Sequence, residues 1–550
     1  MIESGHPQNV LLNRRSNPRA TNPCARPKFS FMFKASKPLA SLLILAQAAL
    51  GSAGAIAQKK PPLDIELQDS FSKSPVPQSG QAGQAFGQNP HNIELPEIGD
   101  PSGTIITPLQ EKELGEAFLR NLHSQVEISE DPEISEYIQT IGQKLAANSD
   151  NPAQTFHFFV VTDPTINAFA GPGGYIGVNS GLILTSEAES ELASVLAHEI
   201  AHVTQRHLYQ TFQAAGRMAL PTAAAMLAAI LLGAKSGSAQ LGQAAVAAAQ
   251  AANLQYQINF TRDNEAEADR VGMQTLSRSE FDPRSMPAFF ERMQQSTRFA
   301  GRQLPEFLLT HPVTVSRIAD TRGRAEQFPY RQYPDSMVYQ IIRAKLRVQT
   351  ASNPGEALDY FRAVGNQGTK QQQDVAHYGL ALALIANARA EEGKPILQQL
   401  ARQYPNQSHF INALAKAEFD QRNYADALRL YEIAGERFPE SGAVTLNYVK
   451  ALLAAGKPEQ ARKRLQDYTR HNPTTPEVYN LLAQSYSGLG QEAESHRYLA
   501  EYYYANGQTR AAILQLRIAR KSAGDNFYVN AVIDERLKQF LAEEEERKKQ

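Results

Sequence analysis

The spacing of apolar residues predicts helices around a small strand-forming region in the first half of the chain. Apolar positions three and four residues apart indicate helices, whereas runs rich in β-branched and aromatic residues indicate strands. The pattern predicts helices at 108–124, 131–148, 186–210, 240–257 and 262–278. It predicts strands at 155–162 and 174–179. Asp131 and Pro132 suit the N-cap and the first position of the second helix. This pattern is typical of a mostly helical α+β domain with a small sheet.

A different pattern begins near residue 335, where small residues and prolines recur every 34 positions. The recurring positions include Ala383, Ala417 and Ala451, and Pro405, Pro439 and Pro473. This period is typical of tetratricopeptide (TPR) repeats, in which small residues let paired helices approach and proline ends the second helix. The predicted repeats are 375–407, 409–441, 443–475 and 476–508, with weaker helical pairs on either side. Such repeats form an all-α solenoid with an extended binding surface.

The N-terminal residues have the features of an export signal followed by a linker. Two lysines precede the apolar run 39–50, and Ala55–Ala57 provides an A-x-A cleavage site. Met32 would begin a signal of ordinary length, and the run is short for a membrane span, although a short anchor is the alternative. Residues 58–105 are rich in Pro, Gln, Ser and Gly and predict a mostly disordered linker. We therefore expect residues 1–57 to be a signal peptide, removed near Ala57.

Composition narrows the class of partner. The formal net charge is −1, so we expect no nucleic-acid partner. The one cysteine, Cys24, lies in the predicted signal, so disulfides are not expected to hold the mature fold together.

The apolar stretch 218–233 is short and interrupted by Pro221, which argues against a membrane span. The stretch could be a buried helix, a membrane-surface element or a lid, and we favour a helix near the active site that contacts a membrane or a client.

The candidate chemistry lies in residues 195–207, VLAHEIAHVTQRH. His198 and His202 are four residues apart and share one face of the predicted helix, with Glu199 beside them. H-E-x-x-H is the zincin pattern, in which two imidazoles bind Zn²⁺ and the glutamate is the general base. The surrounding residues are mostly apolar, so a buried histidine pair needs partners. His207 leaves the ligand face, and we expect it to be a surface or structural residue.

A catalytic zinc also requires a third protein ligand and an open position for water. The segment RDNEAEADRVG at 262–272 offers Glu265, Glu267 and Asp269, and the first and last of these share a helical face. One of these two can bind metal while the other accepts a hydrogen bond from a ligand histidine. The segment alone could be a solvated acidic helix face, but beside the histidine motif we favour a metal site.

The segments HEIAH, NEAEADRVG and LLTHPVTVSRIADTR (308–322) together resemble the gluzincin peptidase family that includes the CAAX prenyl proteases and the heat-shock protease HtpX. This resemblance implies one Zn²⁺ per chain bound by His198, His202 and Glu265. It also implies that Glu199 is the catalytic base and that Asp269 supports a ligand. With an export signal and TPR repeats, the chain is similar to the periplasmic β-barrel assembly-enhancing proteases of Gram-negative bacteria. That similarity covers residue 105 to the C terminus.

Other residues are candidates for stabilising the oxyanion or for regulation. The candidate oxyanion donors are His311, Arg317 and Arg262. His311 could instead fill the open coordination position and keep the enzyme inactive until substrate displaces its loop. The alternative is that Thr310 or His311 caps a helix that begins at Pro312.

A substrate strand is a further candidate feature. Gly174, Tyr175 and Ile176 could belong to an edge strand beside the metal, which would hold substrate by main-chain hydrogen bonds. They could equally form an internal turn and strand.

These features predict an α+β zincin-like metallopeptidase domain at 106–334 and an all-α TPR solenoid at 335–550. The resemblance implies a periplasmic zinc endopeptidase that degrades misfolded or stalled outer-membrane β-barrel proteins and assists their assembly. The TPR array would bind clients or the assembly machinery. Peripheral contact of the protein with a membrane is a further possibility that we include. The alternatives are a non-proteolytic TPR chaperone or scaffold with structural zinc, and a maturation protease for one exported substrate. Glu199 favours a peptidase, since a structural zinc site needs no base.

Overall fold

The computed structural model describes residues 107–209, 227, 262–299 and 305–549. The predicted signal peptide and linker, the predicted helix 240–257 and nearly all of the apolar stretch 218–233 lie outside the described residues. Among the helices described, none has both the length and the apolar character that a bilayer span requires.

The N-terminal part of the described chain combines helices with three short strands. Its helices are α1 (Pro108–His123), α2 (Pro132–Ala146), α3 (Ser180–Thr185), α4 (Glu189–Thr204), α5 (Arg262–Arg278), α6 (Ser285–Phe299), α7 (Glu306–Thr310) and α8 (Val315–Ala325). Its strands are β1 (His157–Val161), β2 (Ala168–Ala170) and β3 (Tyr175–Asn179). The predicted cap of α2 is confirmed, because the Asp131 side chain accepts from the N–H groups of Glu133 and Ile134.

The sheet has the order β1-β3-β2, with β3 parallel to β1 and antiparallel to β2. The prediction that Gly174, Tyr175 and Ile176 form an edge strand is therefore wrong. Tyr175 pairs with His157 and Ile176 with Phe158 on one side, and Ile176 pairs with Ala170 on the other. The alternative of an internal turn and strand is the one found, and β2 is an edge strand of this sheet.

The helix predicted at 186–210 is shorter and is preceded by a helix that the sequence did not predict. Helix α3 ends where Ser186 becomes extended (ψ 125°), and α4 begins only at Glu189. After α4, Arg206 takes a left-handed conformation (φ 57°), which ends the helix before residue 207. Buried side chains of α4, including Leu192, Leu196 and Ile200, fill the core of this region.

The C-terminal part is a succession of helix pairs joined by short connections. Its helices are α9 (Met337–Gln349), α10 (Pro354–Val364), α11 (Lys370–Ala386), α12 (Ala390–Gln403), α13 (Ser408–Asp420), α14 (Tyr424–Arg437), α15 (Gly442–Ala454), α16 (Pro458–Tyr468), α17 (Pro476–Gly488), α18 (Glu492–Ala505), α19 (Thr509–Ser522) and α20 (Phe527–Lys549). The recurring small residues are buried between helices, with Ala383, Ala417 and Ala451 each at most 2% exposed.

Helix α9 belongs to two cores at once. Its Tyr339, Ile342 and Leu346 pack in the core of the N-terminal part, whereas Ile341 and Ala344 pack with the following helices. The domain boundary at 334 therefore stays a prediction, since packing is continuous across it.

Candidate metal centre

Two helices bring the predicted metal ligands together. Helix α4 carries His198, Glu199 and His202, and α5 packs across it with Glu265 and Asp269. Gly272 permits this approach, because a Cβ atom there would lie 3.2 Å from backbone atoms of Ala197 and His198. All five predicted side chains are at most 2% exposed.

Four buried side chains present donor atoms to a common point. Atoms of His198, His202, Glu265 and His311 all lie within 4.8 Å of one another. Nε2 of His198 is 3.0 Å from Nε2 of His202, and each of these atoms is 3.5 Å from a Glu265 oxygen. Nδ1 of His311 is 2.9 Å from Glu265 Oε1 and 3.4 Å from His198 Nε2. Tetrahedral zinc ligands at about 2.0–2.1 Å from the ion lie about 3.4 Å apart, so these donors fit a zinc ion.

Asp269 lies behind this group and contacts its first histidine. Its Oδ1 is 3.0 Å from Nδ1 of His198, the ring nitrogen that faces away from the donor group. Arg317 in turn donates from Nε and Nη2 to the two oxygens of Asp269, at 2.8 and 2.7 Å. Its Nη1 is 2.7 Å from Glu265 Oε2 and donates to the carbonyl of Pro312 at 3.0 Å. Arg317 thus clamps two carboxylates of the site.

This placement does not fit the prediction that Arg317 donates to an oxyanion. Its guanidinium is committed to Asp269, Glu265 and Pro312, which makes it a positioning group. Arg262 is exposed at the start of α5. Of the three candidate donors, only His311 has its ring within the donor group.

His311 follows α7 and points into the site. It is 2% exposed, and its Nε2 is 3.5 Å from Glu199 Oε1. The helix-capping alternative is wrong, because the next helix begins at Val315 and the side chain of Thr314 caps it. His311 instead ends α7, where its N–H donates to the carbonyl of Phe307 at 2.8 Å.

The buried charges of the group shift one another's pKa values. Burial disfavours the charged form of His198, but Asp269 and Glu265 outweigh it and raise its pKa to about 9. Burial and the charge of His198 together hold the pKa of His202 well below its usual range. Burial likewise raises the pKa of Glu199. A cluster of buried carboxylates and imidazoles with such strong mutual shifts is typical of a functional site.

The strand next to the site is β2 rather than β3. Main-chain hydrogen bonds join Gly171 to Tyr175 and Asn179 to Asn167, so the backbone groups of Ala168 and Ala170 point away from β3. The backbone of Ala170 lies beside the Glu199 carboxylate and favours its charged form. The sequence did not reveal this strand, since three residues carry too little periodicity.

Comparisons with known proteins agree with this architecture. Residues 132–325 match Peptidase family M48, and residues 418–485 match a tetratricopeptide repeat. The beta-barrel assembly-enhancing protease of Escherichia coli is 33% identical over 461 residues, covering 84% of this chain and 93% of that protein. The protein of the same name from Yersinia pestis is 34% identical over 426 residues, covering 76% and 86%.

More distant similarities cover single regions. The mitochondrial metalloendopeptidase OMA1 of Schizosaccharomyces pombe is 31% identical over 182 residues, which are 33% of this chain and 50% of that protein. A solved tetratricopeptide repeat protein from Parabacteroides merdae covers 46% of this chain and 98% of its own, at 14% identity and a TM-score of 0.25. That structural likeness is too low to support an argument.

Proposed function

The chain belongs to the family of beta-barrel assembly-enhancing proteases, metallopeptidases with an M48 region and TPR repeats, and on this premise we propose that it is a zinc-dependent endopeptidase of the periplasm. Its clients would be misfolded or stalled outer-membrane β-barrel proteins, whose assembly it would also assist. The observation that carries the proposal is the buried group of His198, His202 and Glu265 with Glu199 beside it.

The donor set suits zinc, since imidazole nitrogens and a carboxylate oxygen are its usual ligands in peptidases. Zinc held there by His198, His202 and Glu265 would acidify a water molecule to a pKa of about 7 and polarise the scissile carbonyl. Asp269 accepts from the outer nitrogen of His198 and fixes that ring, and Arg317 holds Asp269 in place.

Glu199 supplies the proton transfers. Its carboxylate takes a proton from the attacking water and gives it to the leaving amine. Burial raises its pKa, which strengthens it as a base. The backbone of Ala170 lies beside this carboxylate and favours its charged form.

Strand β2 is the proposed docking edge for an extended substrate. The outward backbone groups of Ala168 and Ala170 lie beside Glu199, where an added strand would bring a peptide bond to the base. Main-chain pairing of this kind tolerates many sequences, as a protease for unfolded clients requires.

The segment that carries His311 obstructs the same place. The N–H of Phe307 donates to the carbonyl of Ile166, two residues before β2, at 3.1 Å. His311, four residues later, lies in the donor group where a catalytic site needs an open position. We infer that residues 305–311 hold the enzyme inactive until a client displaces them.

The TPR array is the proposed docking region for clients or assembly machinery. A cleft of about 650 Å³ lies between the first helices of two repeats, with Lys450 from α15 and Asn480 and Gln484 from α17, and with Glu130 from the peptidase part. Its mixture of amide, charged and apolar groups suits a protein segment.

Cleavage by the zinc-loaded full chain tests the proposal. Casein and a stalled β-barrel precursor are incubated with the wild type, with Glu199→Gln and with Glu187→Gln as a control, since Glu187 is 75% exposed. We expect Glu199→Gln to lose cleavage and the control to retain it. Equal and measurable cleavage by the wild type and Glu199→Gln would rule out the peptidase mechanism. Absence of cleavage by His311→Ala as well as by the wild type, with retained support of barrel assembly, would favour the scaffold alternative.

A further inference from the structure

His207 is a buried polar residue beside the proposed metal centre that the H-E-x-x-H pattern does not use. Its side chain is fully buried, and its Nδ1 lies 2.8 Å from Nδ1 of His202. We propose that His207 is a positioning residue that fixes the tautomer and the orientation of the metal ligand His202. This inference rests on the metal centre proposed above.

The surroundings of His202 assign its two ring nitrogens. Nε2 faces the donor group, 3.0 Å from Nε2 of His198 and 3.5 Å from Glu265 Oε1. An imidazole that binds metal through Nε2 keeps its proton on Nδ1. That N–H points at Nδ1 of His207, which accepts it with a lone pair. His207 then carries its own proton on Nε2, which is 3.5 Å from Glu267 Oε2.

The backbone after α4 is shaped to return His207 to this position. Helix α4 ends at Thr204, and Arg206 adopts φ 57° in the left-handed region. A residue other than glycine costs about 1–2 kcal/mol in that conformation. The turn places His207 against a residue only five positions earlier, which a continuing helix would direct to another face. Such backbone strain is found where the position of a side chain matters.

The two histidine ligands are therefore held by different outer groups. His198 contacts the carboxylate of Asp269, whereas His202 contacts the imidazole of His207. Outer groups of this kind hold a ring so that its lone pair is aimed at the ion. Losing one of them weakens metal binding by about 10–100-fold in comparable sites.

Zinc binding by the full chain tests the role of His207. The metal-free wild type and the variants His207→Leu and His207→Gln are titrated with zinc against a chromophoric chelator. The two substitutes have similar size, but only the glutamine oxygen can accept from His202. We expect the dissociation constant to rise about 10–100-fold for His207→Leu. For His207→Gln we expect it to stay within about threefold of the wild type, because an acceptor is retained.

The variant Glu265→Gln, which changes a proposed metal ligand, distinguishes failure of the His207 proposal from failure of the proposed metal centre. If His207→Leu binds zinc like the wild type while Glu265→Gln does not, the metal centre stands and the positioning role is wrong. Equal losses in both His207 variants would also overturn it, since packing rather than the hydrogen bond would then be responsible. If Glu265→Gln binds zinc like the wild type, the proposed centre itself is wrong and the role of His207 falls with it.

Discussion

At the scale of single residues, the site depends on side chains that hold other side chains. Arg317 binds Asp269, which contacts His198, and His207 contacts His202. None of these three outer groups need touch substrate. Because each aims or fixes a ligand, their effects are expected in metal affinity and only through it in catalysis.

His311 provides a test of inhibition at this scale. We expect His311→Ala to raise basal proteolysis of casein several-fold, since it opens the coordination position that a catalytic site needs. Initial cleavage rates at equal zinc occupancy measure the effect, with the exposed His471→Ala as the control. Unchanged proteolysis together with an unchanged metal environment would contradict the switch.

At the scale of elements, short helices and loops bring side chains into the site although the sequence of those elements does not predict it. Helix α7 is only five residues long, yet its Phe307 hydrogen-bonds to Ile166 near β2, and His311, the residue after the helix, lies in the donor group. Helix α1 begins with a capping box between Thr107 and Gln110 and ends with the partly buried His123.

The burial of His123 predicts a pH-dependent stability of the packing of α1. Burial lowers its pKa from 6.5 to about 4, so the folded protein favours the neutral ring. The stabilisation is complete above 6.5 and is lost as the pH falls from 6.5 towards 4, because the unfolded chain binds the proton more readily.

Thermal unfolding of the wild type and His123→Gln between about pH 7.5 and about pH 4.5 measures this contribution. The wild type should lose stability relative to the variant as the pH falls through this window. The exposed His471→Gln should run parallel to the wild type throughout. A constant difference between wild type and His123→Gln would show that its titration is not linked to folding.

At the scale of the whole molecule, α2 joins the catalytic region to the repeat array. One side of α2 packs on β1 and α4, and its acidic N-terminal residues face the array. Lys345 of α9 contacts Asp131 at 2.7 Å and Glu133 at 2.5 Å, and Asn412 of α13 donates to Glu133. The side chain of Lys345 is 10% exposed, so these charges meet away from water.

We therefore expect substitution of Lys345 to lower the free energy of unfolding. Burial opposes the charge of Asp131, but Lys345 outweighs it and lowers the pKa of that carboxyl. Lys345→Met leaves two carboxylates without their cation, which costs about 3–5 kcal/mol in the free energy of unfolding. Denaturant unfolding measures it, with Lys416→Met as the control. Lys416 pairs with Asp420 but is 53% exposed, so its loss should cost less than about 0.5 kcal/mol. Equal costs would show that the Lys345 cluster is hydrated.

The sequence alone determined whatever depends on spacing within one element. His198 and His202 are four residues apart on one helix, with Glu199 beside them, and Glu265 and Asp269 are four apart on another, so the shared face of each pair follows from the helical period. The 34-residue recurrence likewise predicted the helix pairs of the array.

Only the tertiary structure decided how separate elements meet. The order β1-β3-β2 made Tyr175 and Ile176 central, and the path after α7 brought His311 into the donor group instead of placing it at the N-cap of the next helix. Arg317 contacts Asp269, which is 48 residues earlier in the chain. His207 contacts His202, which is five residues earlier. The helical period determines which side chains share a face of one helix. The path of the chain and the burial of each element determine which side chains from different elements meet, and the spacing of residues along the sequence does not specify that path or that burial.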